Sequence, residues 1–135
     1  MKQACKYNII RFKPYSDTQE FVNIGVILYA PTTGEFVFKL LSQNDDARVT
    51  AFFAKLDKAV LHDTLKLLEG ELGRVQKLSY SFHDFNLLYN ELIRPREGTI
   101  QHSSHTACFT TNPSETVNEI FEHYIHRSRA GKSGE

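Results

Sequence analysis

From residue 5 the chain alternates apolar and polar positions in the short period of a β-strand. CKYNIIRF (5–12) is rich in β-branched and aromatic residues and stops before Pro14, which predicts a first strand. KPYSDTQ (13–19) is polar and turn-forming, a loop. EFVNIGVILYA (20–30) predicts a second strand, PTTG (31–34) a turn, and EFVFKLLS (35–42) a third strand that returns as a hairpin.

A helical period then takes over. SQND (42–45) reads as a capping sequence, and Val49, Phe52, Phe53 and Leu56 follow at i, i+3, i+4 and i+7. Leu61, Leu65, Leu68 and Leu72 form one stripe of a second helix, with Gly73 as its expected stop. FHDFNLLYNELI (82–93) predicts a third helix with Phe85, Leu88 and Leu92 on one side, ended before Pro95. A loop and a short strand signal at TACFTT (106–111) lead into the best-marked element. There Asn112 is the cap, Pro113 the first helical residue and Glu115 the partner in a capping box. Val117, Ile120, Phe121, Tyr124 and Ile125 make its apolar stripe. The order β-β-β-α-α-α-β-α predicts an α+β fold: an antiparallel meander of three to four strands packed against three to four helices. We expect a single domain over 1–128 and a flexible polar tail over 129–135.

The composition narrows the function classes. At 135 residues the chain has the length of one domain, and 41% hydrophobic with 24% charged residues is ordinary for a globular protein. Sixteen Lys and Arg balance sixteen Asp and Glu, so no global field draws in nucleic acid or an anionic membrane. No apolar run approaches the roughly 20 residues of a membrane span. The start, MKQACKYNIIRF, places charge inside any would-be signal core, and the expected location is the cytoplasm. The two cysteines, Cys5 and Cys108, form no C-x-x-C pair and are expected to be free thiols.

Two stretches carry candidate chemistry. In EFVNIGVIL (20–28), Val22, Ile24, Val26 and Leu28 alternate as a core-facing row, whereas Asn23 and Gly25 interrupt the row of Phe21, Ile27 and Tyr29. If Tyr7, Ile9 and Arg11 share that face, Arg11 and Asn23 meet beside the gap above Gly25. A strand glycine marks a bulge, or a close approach by a helix, another backbone or a ligand. The second stretch, RPREGTIQHSSH (94–105), gathers Arg94, Arg96, Gln101, His102, Ser103, Ser104 and His105 with little apolar filler. Guanidinium groups of this kind hold phosphate or carboxylate bidentately, while the plain alternative is a solvated loop.

Other chemistries lack support. His102 with His105, and His123 with His126, are H-x-x-H pairs without a recognised zinc spacing, so no metal and no cofactor are expected. Ser103 with His105 lacks a nucleophile-elbow pattern and an orienting acid. Phosphate-binding glycine loops and kinase signatures are absent from the sequence.

YNIIRFKP, EFVNIGVILYAPTTGEF and RPREGTIQHSSHTACFTTNPSETVNEIFEHYI together resemble a bacterial family known only as domain of unknown function 3037. The resemblance spans most of the chain and is loosest over 44–93. Its pattern falls on Tyr7, Arg11, Phe12, Glu20, Asn23, Gly25, Pro95, Arg96, Gln101, Ser103 and His105. It implies no activity. It does imply a context, since such genes often lie beside one for a HipA-like kinase of toxin–antitoxin type.

Two functions follow as expectations. One is a non-catalytic binding partner or modulator of a HipA-like kinase. The other is a small enzyme or ligand-binding domain that recognises a phosphate or carboxylate, with Arg11 and Arg96 as clamps and His105 as acid or base. The candidate binding or clasp site comprises Arg11, Glu20, Asn23, Gly25, Arg96, Gln101, Ser103 and His105. The segment 94–105 is expected to fold over the face of strand 20–30 that carries Asn23 and to bring Arg96 or Gln101 to Glu20 or Asn23.

Overall fold

A computed structural model describes residues 2–15, 17–42, 45, 47–79, 85–94 and 98–126, apart from the Arg48 side chain. Among these residues five strands form one antiparallel sheet: β1 (Gln3–Phe12), β2 (Val22–Ala30), β3 (Glu35–Leu40), β4 (Ile100–His102) and β5 (Thr106–Thr110). The hairpin β2–β3 lies on one edge of β1. Both β4 and β5 lie on the other, β4 against Ile10–Phe12 and β5 against Gln3–Tyr7. Helices α1 (Ala47–Phe52), α2 (Lys58–Leu78), α3 (Phe85–Leu92) and α4 (Pro113–Phe121) complete the fold, and α4 runs into a π turn over Glu122–His126. The expected α+β architecture is therefore present, with a fifth strand added to the sheet.

Helices cover both faces, which explains why eight of the nine β2 residues are buried, those from Ile24 to Ala30 without alternation. On one face, Tyr29 and Phe36 pack their rings against Phe85 and Tyr89 of α3. Leu61, Leu65, Leu68, Leu72 and Val75 form the buried stripe of α2. Gln76 of that helix donates from Nε2 to the Phe36 carbonyl at 3.1 Å. On the other face α4 and the π turn bury Val117, Phe121 and Ile125, and Lys39 lies 5.0 Å from the Phe121 ring centre.

The sheet corrects one expectation about parity. Ile10 pairs with Gly25 but Arg11 pairs with Asn23, so Ile24 is an extra residue that no β1 residue faces. Its carbonyl instead accepts from Leu41 N at 2.8 Å. This bulge resets the alternation. Asn23 joins Val26 and Leu28 on the α4 face, while Gly25 joins Ile27 and Tyr29 on the α3 face. At Gly25 a Cβ would meet Leu40 Cδ2 at 2.6 Å and the Lys39 carbonyl at 3.0 Å. The glycine makes room for the neighbouring strand.

Helix ends show where local signals hold. Asn112 Oδ1 accepts from Glu115 N at 3.2 Å, with Pro113 in the first turn. Asp57 caps α2 through Ala59 N at 2.9 Å. Gly73 does not stop α2, because Val75 prolongs the buried stripe and the helix continues to Leu78. In α3 it is Phe85 and Tyr89 that are buried, with Leu88 and Leu92 half-buried beside them. The expected cap at 42–45, the start of the third helix at 82–84, Pro95 and the tail 129–135 lie wholly or partly outside the described residues.

Candidate functional site

The residues singled out in the sequence fall into three places. The first is a polar row across three strands. Gln101 on β4 faces Arg11 on β1, which faces Asn23 on β2. Asn23 donates from Nδ2 to the Tyr124 carbonyl at 3.3 Å, anchoring the π turn. The Arg11 guanidinium lies 4.4 Å from the centre of the Phe21 ring. Its Nε is buried with no hydrogen-bond partner among the described residues. Such a donor costs stability unless something accepts from it. Beside this row the Tyr7 and Tyr124 hydroxyls approach to 3.2 Å. Burial, and then the Tyr124 hydroxyl, push the Tyr7 phenol up to about 12.

The segment that carries Gln101 does not cross strand 20–30 as expected. It takes the open edge of β1, so β1 separates Gln101 from Asn23. Backbone pairing decides this, because a strand edge offers a row of unmet donors and acceptors that a face does not. Glu20 is exposed in the loop before β2, where its backbone N donates to Thr18 Oγ1 at 3.3 Å. Gly25 is on the opposite face. Arg96 lies outside the described residues.

The second place is the break between β4 and β5. Ser103 N donates to the Ile9 carbonyl at 2.9 Å, and Ser103 Oγ accepts from Ile9 N at 2.8 Å, replacing a ladder bond with a side chain. Asn8 donates from Nδ2 to the Ser103 carbonyl at 2.7 Å, and its Oδ1 accepts from the Tyr89 hydroxyl at 2.6 Å. Asn8 and Tyr89 are fully buried. Together they tie β1, α3 and the strand break. Sequence reasoning missed both residues. The only signal was an amide inside the apolar run YNII. Ser103 Oγ also donates to the Ser104 carbonyl at 3.0 Å, so its hydroxyl serves the backbone. His105 is exposed. No paired nucleophile and base emerge from these two residues.

The third place has little overlap with the expected site. A groove of about 790 Å³ opens between α2, α3 and β4. Leu68, Leu72, Val75, Leu88, Leu92 and Ile100 give it an apolar lining, and Glu71, Arg94, Gln101 and His102 add polar groups. Arg94 is ion-paired with Glu91 at 3.0 Å. Leu67, on its margin, is 75% exposed. The sequence held a signal for it: Leu67 is an additional leucine beside the stripe that α2 buries.

Among the described residues no group of three or more His, Cys, Asp or Glu converges as a metal site. No helix among them is long and apolar enough to cross a membrane. Cys5 and Cys108 are free thiols, the first buried and the second half-buried. The family model DUF3037, described as a protein of unknown function, matches residues 7–125, from β1 to the π turn. No curated protein and no solved structure matches the chain.

Proposed function

The chain belongs to the DUF3037 family, and on that premise we propose a non-catalytic cytoplasmic binding protein, the companion of a HipA-like kinase. The groove between α2 and α3 receives the partner. One observation carries this reading: about 790 Å³ of apolar-lined groove with a margin leucine 75% exposed. Exposed apolar surface of this kind marks interaction sites, because covering it removes apolar area from water. The commitment of the Ser103 hydroxyl to backbone groups further favours binding over catalysis. Hydrogen exchange of the chain with and without the purified kinase tests the reading. Protection is expected in α2 and α3 on binding. Protection confined to the α4 face, or none at all, would reject it.

A second reading rests on Arg11, whose buried Nε has no partner among the described residues. A phosphate or carboxylate would accept from it, with the guanidinium carbon 4.4 Å from the Phe21 ring centre. Titration with inorganic phosphate should then shift the Arg11 Nε resonance saturably. An unchanged resonance would remove this reading.

A further inference from the structure

Cys5 and Cys108 are the two cysteines of the chain, 103 residues apart in sequence, and the sheet sets them directly opposite each other on β1 and β5. Residues opposed in antiparallel strands have Cα atoms about 4.5 or 5.5 Å apart, according to whether the pair is hydrogen-bonded. A disulfide requires about 4.4–6.8 Å, so either kind of pair falls within its reach. Side chains of opposed residues also share a face. The Cys5 thiol donates to the Gln3 carbonyl at 3.7 Å, and neither cysteine is in a disulfide. We propose that Cys5 and Cys108 form a redox modification site, closed by a small-molecule disulfide such as oxidised glutathione into an intramolecular cross-strand bond.

The half-buried Cys108 starts the reaction. Burial raises both thiols, Cys5 to about 11, and Cys108 is the less buried of the two. Cys108 is therefore the thiol that an external disulfide reaches first. Its thiolate attacks one sulfur of the external disulfide, forms a mixed disulfide and releases one thiolate. Cys5 then loses its proton to solvent and attacks the Cys108 sulfur, releasing the second thiolate. The balance is two protein thiols and one external disulfide giving one protein disulfide and two small thiols. Burial makes the exchange slow, which suits a site that responds to sustained oxidation rather than to basal conditions.

Closure acts on a particular weakness of the fold. Among the described residues β5 pairs with β1 alone, and it leads directly into α4. Thr110 Oγ1 accepts from Asn112 N at 2.9 Å, coupling the end of β5 to the helix cap. A bond at Cys108 thus fastens the start of α4 to the first strand and encloses most of the chain in one loop, which limits the unfolded state.

Intact mass of the full chain, taken under denaturing, non-reducing conditions after exposure to oxidised glutathione, tests the proposal. The expected product is monomeric and lighter by two hydrogen atoms, melts at higher temperature than the reduced chain, and reverts with dithiothreitol. The Cys5→Ser variant should instead retain one glutathione on Cys108, because the resolving thiol is gone. The reverse variant, Cys108→Ser, should react more slowly than Cys5→Ser. A stable glutathione adduct on the wild type, a disulfide-linked dimer, two unreacted thiols, or a lower melting temperature on closure would each overturn the proposal.

Discussion

The two faces of the sheet are finished in different ways. On one, α4 and its π turn bury Val117, Phe121 and Ile125, and the polar row receives them through Asn23 and the Tyr124 carbonyl. On the other, Tyr29, Phe36, Phe85 and Tyr89 make an aromatic centre, but α2 and α3 leave a groove toward β4. The contrast teaches that a polar residue on a sheet can be structural while an apolar one on a covering helix is left to solvent. Asn23 holds a helix end in place, whereas Leu67 faces outward from a helix whose stripe is already satisfied.

The largest effect should come from the α4 face. Phe121→Ala removes a ring that is 2% exposed and should cost about 3–5 kcal/mol through the cavity it leaves. Urea titration checks this, and a cost near zero would mean that α4 is not docked. Next comes the clasp on the opposite face. Asn8→Ala leaves the Ser103 carbonyl and the buried Tyr89 hydroxyl without their partner, an expected loss of about 2–3 kcal/mol. In the double variant with Tyr89→Phe, the cost should fall short of the sum of the two single ones, since the substitutions delete a shared bond. Strict additivity would show that the bond contributes nothing.

A smaller loss is expected at the α4 cap. Asn112→Ala removes the acceptor for Glu115 N and should cost about 1 kcal/mol. A loss as large as that of Phe121→Ala would invert the account of this face. The last effect is absent at neutral pH. Burial and the Tyr124 hydroxyl raise Tyr7 from 10.0 to about 12, and burial with Cys108 raises Cys5 from 9.0 to about 11. Burial likewise raises Tyr89. Each group is neutral when protonated, so its contribution is full below the unfolded value and is lost as pH climbs through the folded one. Thermal melts should therefore weaken progressively from about pH 9 upward, and Tyr7→Phe should flatten the part of the decline above pH 10. A melting temperature constant from pH 8 to 11 would contradict the burial of these groups.

Much of this architecture can be read from local signals. The β2–β3 hairpin, the leucine stripe of α2 and the Asn112–Pro113 start of α4 are all set by residues within one turn or one strand of each other. What escaped the sequence depends on register. The bulge at Ile24 sits in an apolar run that alternates plausibly either way, and only pairing with β1 reveals that Asn23 and Gly25 part company. With three residues, β4 is too short to show a period. The opposition of Cys5 and Cys108 follows from β5 choosing the edge of β1, a contact that no nearby residue announces. Of the expected site, Arg11, Asn23 and Gln101 form one row across the sheet, Ser103 belongs to the clasp, and Glu20 and His105 are exposed.

Leu67 and Arg11 provide the sharpest separation of the two faces. Leu67→Asp changes a residue that is 75% exposed, so its effect on stability should stay within about 0.5 kcal/mol. The direct measurement is the affinity of the purified HipA-like kinase for the wild-type chain, Leu67→Asp and Arg11→Gln, by calorimetry on folded protein. The groove account predicts at least a tenfold weakening, about 1.4 kcal/mol, for Leu67→Asp and wild-type affinity for Arg11→Gln. Unchanged affinity for Leu67→Asp, or a loss found with Arg11→Gln alone, would contradict it.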